Sequence, residues 1–158
     1  MPSVKNVRPK KPMRIALPPN TLPQGNRTLI EQSLAMGMGR ALGICLKKLS
    51  RRRIDAEMTV KEEHINRSGR INGGALMAFA DVLGALGTLA NLPDGYRTTT
   101  LESKTNFFAA GDGARLAATT LPLHIGRTTM VWQTTVKNAD GTKVAIVTQT
   151  QIVIPKKA

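Results

Sequence analysis

The sequence predicts an α+β domain in which an antiparallel sheet of about six strands wraps around one long central helix, and three observations predict it. Residues 73–90, GGALMAFADVLGALGTLA, form a stretch in which Asp81 and Thr88 are the only polar side chains. Four segments of strand character follow it and a two-strand pattern precedes it. The later strands are joined by short connections, and these require antiparallel neighbours because a parallel pair needs a crossover of about a dozen residues. On this reading the strands run as a meander. A helix too apolar to face water is then buried most economically inside the curl of the sheet.

Taken in order, residues 1–27 read as a basic, proline-rich arm, extended or disordered. They hold six of the nine prolines, and residues 1–30 carry Lys5, Arg8, Lys10, Lys11, Arg14 and Arg27 with no acidic residue before Glu31. Such proline density opposes both helix and sheet pairing. It also spoils the amphipathic helix of a transit peptide, and no apolar run suggests a secretory signal. Residues 28–158 are then the folded domain. Residues 28–44 are expected to form a short helix with Leu29, Ile30, Leu34, Met36 and Met38 as its apolar positions. Leu42, Ile44 and Leu46, then Ile54, Ala56, Met58 and Val60, alternate with the period of half-buried strands, with 47–53 as the turn. A polar loop at 63–72 leads into the apolar helix. After the turn at Asn91, Leu92, Pro93, Asp94 and Gly95, strands are expected over 98–108, 114–124, 128–138 and 142–154.

The chain has 158 residues, enough for one domain. Its 23 Lys and Arg against 10 Asp and Glu give a formal net charge of +13, a field that attracts phosphorylated partners. A nucleic-acid module is disfavoured, because the aromatic residues Phe79, Tyr96, Phe107, Phe108 and Trp132 are not interleaved with basic clusters as stacking platforms are. Nucleic acid is left with weak contact by the arm. One cysteine, Cys45, excludes an internal disulfide and points to a reducing, cytoplasmic setting. His64 and His124 lack metal-ligand spacing, so no metal or cofactor is expected. A membrane span at 73–90 is opposed by Asp81 at its centre, since an ionised carboxylate there costs roughly 2.5–3.5 kcal/mol on insertion scales.

Asp81 is the central chemical feature. A carboxylate on a buried helix must be paired, protonated or used. No basic residue lies within 73–90 to pair with it, and Gly84 and Ala85, one turn on, are expected to leave space for a ligand. The helix begins at paired glycines, Gly73 and Gly74, whose free N–H groups can hold a developing oxyanion and let a ligand approach the backbone.

At these residues the chain resembles the hotdog-fold acyl-CoA thioesterases of the PaaI-like family. The resemblance rests on Asn66, Gly69, Asn72-Gly73-Gly74 and Asp81 at the family's spacing. Thr99-Thr100-Leu101-Glu102 and Asn106-Phe107 look like its strand after the helix, and His124-Ile125-Gly126-Arg127 like the family's turn before its fourth strand. It covers about residues 40–154. The resemblance implies hydrolysis of the thioester of an aryl- or medium-chain acyl-CoA. In it, Asp81 matches the nucleophile or general base and Gly73 the backbone N–H that polarises the carbonyl. Asn66 matches a residue that positions water or the carboxylate, and Thr100 a hydroxyl facing the same site. Asn72 stands where the family usually has His, and an Asn can donate a hydrogen bond but cannot take up a proton near neutral pH. Arg127 with Gly126 is the expected contact for coenzyme A phosphate, Arg67 a weaker one, and Gly74 and Gly84 would line the substrate. A hotdog protein that binds acyl-CoA without hydrolysing it is the alternative, and a hotdog dehydratase is disfavoured because it needs a His that the site segment lacks.

Gly73 and Asp81, eight residues apart on one helix, lie about 12 Å apart at 1.5 Å per residue and cannot both touch one carbonyl. If both act on the thioester, the site must combine two chains in a symmetric dimer. The resemblance implies the same arrangement, with dimers commonly paired into tetramers.

Overall fold

The computed structural model describes residues 22–156. The elements run α1 (Gln24–Ala35), α2 (Gly37–Ala41), β1 (Ile44–Ser50), β2 (Arg53–Thr59), a 3₁₀ turn (Glu62–His64), α3 (Gly73–Leu89), β3 (Tyr96–Phe107), β4 (Arg115–Ile125), β5 (Thr129–Asn138) and β6 (Lys143–Pro155). The six strands form one sheet in the order β1-β2-β4-β5-β6-β3, with every neighbouring pair antiparallel. Alternating side chains of the inner face, among them Ile54, Ala56, Met58, Leu116, Ala118, Val136, Ala145 and Val147, are buried. All of these except Val147 pack with Leu76, Phe79, Leu83 and Leu86 of α3 into one core.

Two features of α3 fit it closely to the sheet. A methyl group on Gly84 would lie 2.3 Å from Cδ of Gln149, and one on Gly87 would lie 2.8 Å from Cε2 of Trp132. Bare backbone at these two positions lets the helix cross β6 and β5 in direct contact. Trp132 Nε1 then donates to Thr88 Oγ1 at 2.9 Å, which satisfies the indole N–H inside the core. Among the described residues, no helix is long and apolar enough to cross a membrane.

The structure corrects the expected order and boundaries. The sheet is not a simple meander: β3 pairs with β6 at the sheet edge, and its successor β4 pairs with β2 and β5. The helix expected over 28–44 starts at Gln24, breaks at Met36–Gly37, where Gly37 has φ +51°, and gives way to β1 at Ile44. Met36 and Met38 are consequently exposed. The β1–β2 turn is tighter than 47–53, since only Arg51 and Arg52 lie between the strands.

The folded part also reaches into the expected arm. Leu22 is buried, and the buried Asn26 side chain donates to the carbonyls of Leu89 (2.6 Å) and Leu92 (3.0 Å). It thereby closes the C-terminal end of α3. The remainder of the expected arm, residues 1–21, lies outside the described residues.

Candidate active site

The polar loop before α3 is built around Asn66. Its Oδ1 accepts from the backbone N–H of Ser68 (2.9 Å) and Arg70 (3.2 Å), and Gly69 takes the left-handed conformation that closes the turn (φ +71°). Asn66 therefore engages its oxygen in holding the loop, which leaves its amide NH₂ as the group available to a water. Ile71 N–H donates to the Gly111 carbonyl and Asn72 N–H to the His64 carbonyl, each bond fixing where α3 begins.

Asn72 is the N-cap of α3. Its Oδ1 accepts from Gly74 N–H at 2.7 Å, and its carbonyl accepts from Ala75 and Leu76. Of the first-turn donors, only Gly73 N–H has no acceptor among the described residues. The helix thus presents a single free N–H at its positive end. Gly74, expected to contact substrate, has its own N–H engaged by Asn72. The phenyl ring of Phe107 lies against Gly73, with Cζ 3.2 Å from where a side chain would start.

Asp81 sits two turns further on and is half-buried. Its Oδ1 accepts from Thr100 Oγ1 at 3.0 Å and from Gln149 Nε2 at 3.4 Å, and Gln149 Nε2 also donates to the Asp81 carbonyl at 3.1 Å. Oδ2 has no partner among the described residues, so the carboxylate is held by one oxygen and free at the other. Thr100 in turn accepts from Gln151 Nε2 at 2.7 Å. A β-bulge at Leu101 follows directly: Thr100 pairs with Gln151, and Glu102 with Thr150. It moves the half-buried phase of β3 from Thr98 and Thr100 to Ser103 and Thr105.

The space expected beside Gly84 is filled. Gln149 packs against that glycine, so the bare backbone of Gly84 admits a protein side chain where open space was expected. Gln149 and Gln151, both buried in β6, are site residues that sequence reasoning missed. Their signal was faint: two glutamines at alternate positions of an apolar strand, both on its inward face. Gln149 Oε1, on the side chain that contacts Asp81, is buried without a protein partner, as are Ser103 Oγ and Thr105 Oγ1 further along β3.

Gly73 and Asp81 do not meet within one chain. Gly73 abuts Phe107 at one end of β3, whereas Asp81 bonds to Thr100 seven residues earlier on that strand. Arg127 is exposed in the β4–β5 turn, where Gly126 N–H donates to the Thr129 carbonyl and leaves no room for a side chain against His124. Arg67 is exposed at the tip of the Asn66 loop. Among the described residues, neither arginine hydrogen-bonds to Asp81 or Gly73.

Comparison with known proteins gives concordant matches. A model of the thioesterase superfamily matches residues 68–145, which include Gly73, Asp81 and Thr100. A variant of thioesterase PA1618 from Pseudomonas aeruginosa superimposes with a TM-score of 0.75 at 26% identity, covering 82% of this chain and 94% of that one. The 1,4-dihydroxy-2-naphthoyl-CoA hydrolase of Listeria monocytogenes is 24% identical over 123 residues, 77% of this chain and 98% of that enzyme. The protein smu.793 of Streptococcus mutans, solved bound to acetyl-CoA, has a TM-score of 0.66 at 25% identity, covering 73% and 91%.

Proposed function

We propose that the chain, matched over residues 68–145 by the thioesterase-superfamily model, is a thioester hydrolase of the hotdog fold that cleaves aryl- or medium-chain acyl-CoA, with Asp81 as the catalytic carboxylate. The observation that carries this reading is the one-sided hold on Asp81: Oδ1 is engaged by Thr100 and Gln149 while Oδ2 is free. As general base, Oδ2 takes a proton from a water whose oxygen adds to the thioester carbonyl carbon. The negative charge that develops on the carbonyl oxygen is met by a Gly73 N–H, which needs no reorganisation because no protein acceptor occupies it. Collapse breaks the C–S bond and releases the acid, and the leaving thiolate receives the proton held by Asp81. As nucleophile, the same oxygen would instead add to the carbonyl carbon and expel the thiolate as the C–S bond breaks, leaving a mixed anhydride that water then cleaves to release the acid and regenerate the carboxylate.

The site takes Gly73 from one copy and Asp81 from another. Two features of the single chain support this. Gly74, Met77, Ala78, Asp81, Val82 and Ala85 form a stripe at helical spacing along α3 that stays partly exposed. On β3, the outer edge of the sheet has no neighbouring strand. A second copy packing helix to helix would cover the first and extend the second. Further pairing into a tetramer is part of the same reading. Arg127 and Arg67 are proposed to meet the phosphates of coenzyme A, as the acetyl-CoA bound to the S. mutans protein prompts.

Thiol release from a panel of acyl-CoA esters, with parent and Asp81→Asn, tests the proposal. Asp81→Asn retains an oxygen for Thr100 and Gln149, so it folds and binds a non-hydrolysable acyl-CoA analogue. Its turnover falls by roughly 10²–10⁴-fold, the usual contribution of a general base. Near-parental turnover by this variant would remove Asp81 from the mechanism.

A further inference from the structure

We infer that Gln151 is a positioning residue, which orients the Thr100 hydroxyl toward Asp81 and so holds the carboxylate with Oδ2 facing substrate. The inference rests on the proposed role of Asp81 and extends it to a strand behind the site.

The argument follows from the direction of each hydrogen bond. An amide nitrogen only donates, so in the 2.7 Å contact between Gln151 Nε2 and Thr100 Oγ1 the hydroxyl is the acceptor. Thr100 has one proton, and with that lone pair engaged the proton lies toward Asp81 Oδ1, 3.0 Å away. The orientation of the amide is set in turn by Thr98, whose one hydroxyl proton is shared between Gln151 Oε1 at 3.0 Å and the Ile152 carbonyl at 2.9 Å. A hydroxyl rotor that could point elsewhere is thereby held in one direction by a side chain of 0% exposure. The regular register before the Leu101 bulge pairs Thr100 with Gln151 and puts Thr98 and Thr100 on the same half-buried face. Removing Gln151 strands no buried donor, since Thr98 has the Ile152 carbonyl at 2.9 Å and Thr100 keeps Asp81.

The test is a double-mutant cycle on steady-state kinetics, with Asp81→Asn as a control. Gln151→Met, and Gln151→Leu as a second shape, should fold, leave KM within a factor of about two and lower kcat by roughly 10- to 100-fold, the scale of a small misplacement of a reacting group. In a Thr100→Val background the same substitutions should change kcat by less than about twofold, because the hydroxyl through which Gln151 acts is gone. Equal losses with and without Thr100 would show that Gln151 acts by packing, and failure of both variants to fold would say the same; either result overturns the inference. Parental kcat in both variants beside an inactive Asp81→Asn would overturn it and leave the role of Asp81 standing. An active Asp81→Asn would overturn both.

Discussion

Asn72 shows how one side chain can be read differently before and after the fold is seen. In the sequence it is a departure from the His of the resembling family; in the structure it is the cap of the central helix, with Oδ1 2.7 Å from Gly74 N–H. An imidazole is a poor substitute for this short acceptor, and the cap also silences Gly74, so that Gly73 alone offers a free N–H. Asn72→Ala is predicted to lower stability by about 0.5–2 kcal/mol. Asn72→Ser should recover most of it, as chemical denaturation of the two variants would reveal. The position of Asp81 was legible because a lone carboxylate in an apolar helix is conspicuous. Its partners were not: Thr100 was named only through the family likeness, and Gln149 and Gln151 lie some 70 residues on, joined to it only by strand register.

Among the elements, α3 was the most legible, since its apolarity could belong only to a buried or spanning helix, and the observed Gly73–Leu89 nearly matches the expected 73–90. The roles of its glycines were hidden, because spacing does not say which side chain will press on them. Gly87→Ala is predicted to overpack Trp132 and cost about 1–3 kcal/mol, with turnover per folded molecule near the parental value. Gly84→Ala should cost a similar amount and also reduce kcat, because it displaces Gln149 from Asp81. Thermal melts and kinetics on the same preparations distinguish the two. Strand β2 offers a pH test. Burial works to raise the Asp55 carboxyl, but hydrogen bonds from Arg53 (2.7 Å) and Thr119 (2.8 Å), with the charges of Arg53 and Lys48, outweigh it and hold the group below the usual carboxylate range. A depressed folded value means stabilisation that is complete above the unfolded value, near pH 4, and lost as pH falls through the lower folded one. Asp55→Asn should therefore melt below the parent at pH 7, with the difference closing in melts run under about pH 4.

At the scale of the whole molecule, the sheet curled around a helix could be anticipated from the number of strands and the single apolar helix. Strand order could not, because placing β3 beside β6 depends on pairing between residues 38 to 59 apart in sequence, and no local pattern encodes that. The same strand order leaves β3 as a free edge beside the partly exposed stripe of α3, the two surfaces on which a second copy would complete the site. Gly73→Pro is well suited to test this. Proline is accepted at the first helical position, it removes only the free N–H, and Asn72 already has the extended backbone (φ −64°, ψ 135°) that precedes a proline. The exposed Phe107 ring can rotate away from the added atoms. The most direct measurement mixes inactive Gly73→Pro chains with inactive Asp81→Asn chains, verifies subunit exchange, and follows thioester hydrolysis. If each site takes Gly73 from one copy and Asp81 from the other, every mixed dimer has one intact site, and random pairing restores about a quarter of parental turnover; a mixture no more active than its two parents would contradict the shared site.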